Sequence, residues 1–112
     1  MILEEKWRTK TLTVDDLKEW VKNYSQGCGI NLTPEEIDHV AQYMMDIYYW
    51  HTRGIPPGSF VEAVIRNDLR EASWSANDIN AKALVLYGKL LIEIPGAFSK
   101  EWQTKLKEIE RR

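Results

Sequence analysis

Apolar positions recur at helical spacing in five stretches of the chain, separated by short runs of Gly, Pro, Ser and Asn. No stretch alternates with the period of two that a half-buried strand requires. Val14, Leu17, Trp20, Val21 and Tyr24 form the first stripe. Thr13 is placed to cap it, Asp15 and Asp16 sit at the positive end of its dipole, and Ser25-Gln26-Gly27-Cys28-Gly29 ends it. The second helix has the clearest start in the chain: Thr33 as cap, Pro34 in the first helical position, and Glu36 closing a capping box. It is expected to run to about Arg53, where Gly54 supplies a left-handed residue and Pro56 prevents continuation.

On a helical wheel Ile37, Val40, Ala41, Met44, Ile47, Tyr48 and His51 share one face of this second helix. Met45 and Tyr49 widen it on one side, Tyr43 and Trp50 on the other. Together they cover about 260° of the circumference, against the stripe of about 100° that a surface helix needs. Such a helix is either central to a bundle or carries a second face for a partner.

A third helix is expected from Ser59, with the capping pattern Ser59 to Glu62 and a stripe of Phe60, Val64, Ile65 and Leu69. After a break at Ala72-Ser73-Trp74, Ser75 suits the start of a fourth, carrying Ile79, Ala83, Leu86, Tyr87, Leu90 and Ile94 until Pro95-Gly96 stops it. Ser99 caps a last helix bearing Trp102, Leu106 and Ile109. Residues 1 to 12 show no helical period and read as an extended arm that Ile2, Leu3, Trp7 and Leu12 tack onto the core. The pattern predicts an all-α, single-domain bundle of about five helices with short loops.

Composition narrows the functions such a bundle can serve. With 112 residues, 44% hydrophobic and 29% charged, the chain suits one globular domain. The net charge of -2 provides no cationic field for nucleic acid or an anionic membrane. Lys100, Lys105, Lys107, Arg111 and Arg112 alternate with Glu101, Glu108 and Glu110, the pattern of a solvated helix face. One cysteine, Cys28, excludes an internal disulfide, and no apolar run has the length of a signal or a membrane span, so a cytoplasmic setting is expected. His39, His51, Asp38, Asp46, Glu35 and Glu36 do not fall at zinc-binding spacings, and Cys28 has no base placed beside it. We therefore expect no metal, no cofactor and no catalytic residue.

The most distinctive stretch is Tyr48 to Leu69, where an aromatic helix end meets a Gly-bracketed double proline. Tyr and Trp beside Met are enriched where proteins bind one another. Tyr49, Trp50, Arg53, Ile55, Pro56 and Pro57 are thus a candidate interaction surface, for a protein partner or a second copy, with Arg66, Asn67 and Asp68 as an adjoining polar patch. The favoured reading of Asn67 and Asp68 is nevertheless structural, in that one or other satisfies backbone amides that the proline loop leaves bare. The alternative from another class is a nucleotide or other small ligand held by Arg53, Arg66 and Arg70 as anion contacts.

At Gly54-Ile55-Pro56-Pro57-Gly58-Ser59-Phe60, then Ala63-Val64, Asn67-Asp68-Leu69 and Ala72, the chain resembles a group of small helical proteins encoded by tailed bacteriophages and prophages. The likeness covers roughly residues 40 to 95 and extends to an Asn near the start of the following helix, as Asn77 or Asn80 here. It implies a phage origin and a bacterial cytoplasm as workplace. No activity or catalytic residue comes with it, and by analogy with small acidic phage proteins it points to binding of a host or phage protein.

Overall fold

The chain folds around its longest helix, Pro34–Arg53 (α3), in a computed structural model that describes residues 2–110. Arg111 and Arg112, counted above in the basic helix face, lie outside the described residues. Before α3 come Ile2–Arg8 (α1) and Val14–Gly27 (α2); after it come Ser59–Ile65 (α4), Leu69–Ser75 (α5), Asp78–Lys82 (α6), Leu84–Glu93 (α7) and Lys100–Glu110 (α8). No strand occurs among the described residues. The all-α class is as the periodicity predicts, while the described residues form eight helices rather than about five.

The start of α3 follows its sequence signal. Thr33 accepts from the Glu36 amide at 3.1 Å while Glu36 accepts from the Thr33 amide at 2.9 Å, so two otherwise orphaned donors are satisfied. Gly54, with φ of 70°, turns the chain out of the helix. The wide apolar circumference of α3 is used from several sides: α2, α4 and α6 pack on it, and Val40, Ala41, Met44, Met45, Ile47, Tyr48 and Trp50 are all buried. Thr13 forms the expected capping box with Asp16 at the start of α2. Ser99 accepts from the Trp102 amide at the start of α8.

Three tryptophans fasten segments far apart in the chain, each burying an apolar ring and donating its one indole N–H. Trp7 of α1 donates to His51 Nδ1 of α3 at 2.9 Å. Trp20 of α2 donates to Glu93 Oε2 of α7 at 2.8 Å. Trp102 of α8 donates to the Ile65 carbonyl at the end of α4 at 2.9 Å. Around these clasps the core draws on every helix except α6 for a buried apolar side chain, and α6 contributes buried Asn80. The radius of gyration of 13.3 Å is that of a close-packed chain of this length, about 13 Å.

Four sequence expectations are corrected. The extended arm is a helix: Leu3 and Trp7, four residues apart, are both buried, and Arg8 pairs with Glu4 at 2.6 Å along the exposed side. It ends on Lys10, a non-glycine residue at φ 61°. The expected third helix divides into α4 and α5 at Asn67, also left-handed at φ 59°, and Ala72-Ser73-Trp74 lies inside α5 instead of breaking the chain. The expected fourth divides at Ala83 into α6 and α7, and its cap is Asn77, which accepts from the Asn80 amide at 2.8 Å, not Ser75. Finally, Ser59 begins α4 without capping it; Gly58 holds the cap position and no side chain bonds there.

Candidate interaction surface

The residues singled out around the double proline do not form one site. Trp50 is 1% exposed, with its ring edge-on to Trp102 at 4.8 Å between centroids, so it belongs to the core. Tyr49 is half-buried, and the Arg53 guanidinium lies 4.9 Å over its ring, a cation–π contact that engages the arginine within its own helix. Ile55 and Pro56 are exposed and Pro57 is half-buried in the loop that follows. Arg66, Asn67 and Asp68 lie beyond the other end of the seven-residue α4, itself about 10 Å long. There Arg66 pairs with Glu62 at 3.8 Å, and Asp68 caps α5 by accepting from the Glu71 amide at 3.0 Å. The amide that Asp68 satisfies is thus in its own helix and not in the proline loop. The three arginines considered for an anion are drawn to separate surroundings: Arg53 to Tyr49, Arg66 to Glu62, and Arg70 to the exposed outer side of α5 beside Trp74.

What Asn67 and Asp68 do border is an apolar recess between α5 and α7, lined further by Leu69, Leu84, Gly88 and Leu91. It opens onto a broader groove of about 560 Å³ that adds Val85 and Ile92. Leu69, Val85 and Ile92 are 68%, 51% and 84% exposed, unusual for large aliphatic side chains that lie together.

The cause is the composition of α7. At about 100° per residue, Leu86, Tyr87 and Leu90 face the core while Leu84, Val85, Gly88, Leu91 and Ile92 occupy an arc of about 120° on the outward side. Only Lys89 and Glu93 interrupt the apolar circumference, and Glu93 is half-buried against Trp20. A helix apolar all round is the kind that proteins cover on both sides. Gly88 stands at the centre of the outward arc, exposed, and a Cβ built there meets nothing within 4 Å. Trp74, 85% exposed, points about 140° away from Leu69 around α5 and stands apart from this face.

Beneath α7 the core carries a polar pair. Tyr87 donates to Asn80 Oδ1 at 2.6 Å with both side chains buried, and burial pushes the phenol well above its usual range. The side-chain nitrogen of Asn80, Nδ2, has no partner among the described residues.

A second recess, of about 250 Å³, lies between α1 and α8, lined by Arg8 and Lys10 on one side and by Glu101 and Lys105 on the other, which pair along α8 at 3.9 Å. His51 forms part of its wall. Because the Trp7 indole can only donate, His51 Nδ1 accepts and the neutral imidazole carries its proton on Nε2. Burial, reinforced by the Lys105 ammonium, pulls His51 down from 6.5 to about 4. Lys105 also donates to the His51 carbonyl, placing a cation at the C-terminal end of α3.

Among the described residues no group of three or more His, Cys, Asp or Glu is placed to hold a metal ion. No described helix is long and apolar enough to cross a membrane. The sequence reading followed Leu86, Tyr87, Leu90 and Ile94 as the stripe of this segment and passed over its outer face. The signal was present as two apolar doublets, Leu84-Val85 and Leu91-Ile92, one on each side of Gly88. A single-stripe reading cannot accommodate them. Comparison of the chain with models of known protein families, with curated proteins and with solved structures finds no match.

Proposed function

We propose that this protein is a non-enzymatic binding protein of the bacterial cytoplasm, which acts by receiving an apolar helix on the outer face of α7 and the adjoining edge of α5. The observation that carries the reading is the double-sided apolar circumference of α7: on its outward side Val85 and Ile92 are exposed, and Leu84 and Leu91 are half-buried against the edge of the core. An apolar groove between two helices is the geometry that receives the apolar face of an amphipathic helix. The likeness of residues 54 to 72 to phage-encoded helical proteins supports the same class of role, with a phage origin. This reading relocates the surface from Tyr49 and Trp50 to α7, because Trp50 is core.

The test compares capture from a bacterial lysate by the wild-type protein and by Ile92→Glu, each shown by circular dichroism to retain its helices. Ile92 is 84% exposed, so the charge is tolerated by the fold. Proteins, or further copies of the chain, retained by the wild type and lost with Ile92→Glu support the reading. Identical capture by both overturns it.

A further inference from the structure

We infer that the helix received on this face is α7 of a second copy, packed antiparallel about a twofold axis that passes beside Gly88. The inference rests on the reading of α7 as a binding face and names its occupant.

Three observations lead to it. The outward residues of α7 are symmetric in position and kind about Gly88: Leu84 and Ile92 lie four residues to either side, Val85 and Leu91 three to either side. An antiparallel pair centred on Gly88 therefore sets Leu84 against Ile92 of the partner and Val85 against Leu91. This is the self-complementarity a twofold interface requires, in which one patch must fit its own image. An arbitrary partner would require no such symmetry.

Gly88 is the second observation. It lies inside a helix, where glycine is disfavoured relative to alanine, and its φ is not left-handed. No neighbouring atom within the chain would meet a Cβ there. Nothing in the monomer accounts for its lack of a side chain, whereas a helix crossing at that point does, since small residues at a crossing let two backbones approach. Antiparallel packing also sets the positive end of each helix dipole beside the negative end of the other.

Area is the third. With Leu69, Val85 and Ile92 largely exposed and half-buried Leu84 and Leu91 beside them, full burial of the face removes at most about 500 Å² per copy, hence at most about 1,000 Å² for the pair, the low end for a specific interface. Twofold symmetry doubles the patch without a second surface having to exist.

The experiment uses native mass spectrometry and sedimentation of the purified chain, followed by cysteine cross-linking in a Cys28→Ser background. The wild type is expected at twice 13.1 kDa. Gly88→Arg, at a position open to solvent in the monomer, is expected to keep its helices and shift the species to the single mass. Under mild oxidation Gly88→Cys is expected to give a covalent dimer, because position 88 meets itself across the axis. Ile92→Cys alone gives none, because position 92 meets position 84. A wild type that is monomeric into the high micromolar range overturns the proposal. So does a dimer unaffected by Gly88→Arg, or one that cross-links through Ile92→Cys and not through Gly88→Cys. A monomer whose capture of other proteins is still lost with Ile92→Glu sinks the second copy and leaves the binding face standing; a monomer whose capture is unchanged sinks both.

Discussion

Trp50 shows how a residue's role is decided by an element that its own helix cannot foresee. The wheel of α3 places it on the flank of a broad apolar face, and aromatic residues there are equally compatible with a core and with a binding surface. Trp102, from a helix about 50 residues further on, covers it. Trp50→Ala is expected to cost about 3–5 kcal/mol, a large part of the 5–15 kcal/mol typical of a whole domain. Urea unfolding monitored by far-ultraviolet circular dichroism measures it, and a loss below 1 kcal/mol would contradict the packing described. His51 was legible as a residue of the apolar face, but its partners Trp7 and Lys105 come from opposite ends of the chain. Its depressed pKa has a signed consequence. The unfolded state takes up a proton below about 6.5 and the folded state only near 4, so stability is fully present above 6.5 and declines as pH falls between those values. Melting temperatures followed from pH 7 to 4 should fall more steeply for the wild type than for His51→Gln, whose amide oxygen still accepts from Trp7. Parallel curves would remove His51 from the acid response.

At the scale of elements, legibility follows the chemistry that marks a boundary. Helix starts written in side chains were readable at Thr13, Thr33 and Ser99, because a cap is a local bond between residues three apart. The caps Asp68 and Asn77 were passed over, the one lying within an apolar stripe and the other behind the earlier candidate Ser75. Thr33→Ala, which removes one half of the α3 capping box, is expected to lower stability by about 1 kcal/mol, measured by the same unfolding experiment. Thr11→Ala, outside any cap, serves as the reference, and an equal loss in both would dissociate the box from α3 stability. Boundaries made by backbone conformation were not readable. Lys10 and Asn67 turn the chain at positive φ without being glycine, and Ala83 interrupts a helix that its neighbours would otherwise continue. Lys10 and Ala83 carry no side-chain signal of a stop, and Asn67, of a type that tolerates the left-handed region, was read only as part of a polar patch. The chain pattern alone therefore joined α4 to α5 and α6 to α7, and the short helix α1 was lost because two buried positions, Leu3 and Trp7, are too few to establish a period.

For the whole molecule, the periodicity was enough for the class; it narrowed α3 to a central helix or one with a second face for a partner, and it left open how the pieces are arranged around it. That arrangement is set by contacts of long sequence separation, above all the indole clasps, which bind α1 to α3, α2 to α7 and α8 to α4. The candidate surface was marked in the sequence by the doublets Leu84-Val85 and Leu91-Ile92 around Gly88, but which side of α7 is buried, that of Leu86, Tyr87 and Leu90, is seen only in the folded chain.

The Trp102 clasp also imposes an order in time. Chains are made from the N-terminus at about 5–20 residues per second, so Trp102 follows Trp50 by about 3–10 s. Until it arrives, the ring of Trp50 and the carbonyl of Ile65 have neither their cover nor their donor. A chain halted before residue 102 is then a client for chaperones, with its central helix formed and one side of it still open to water.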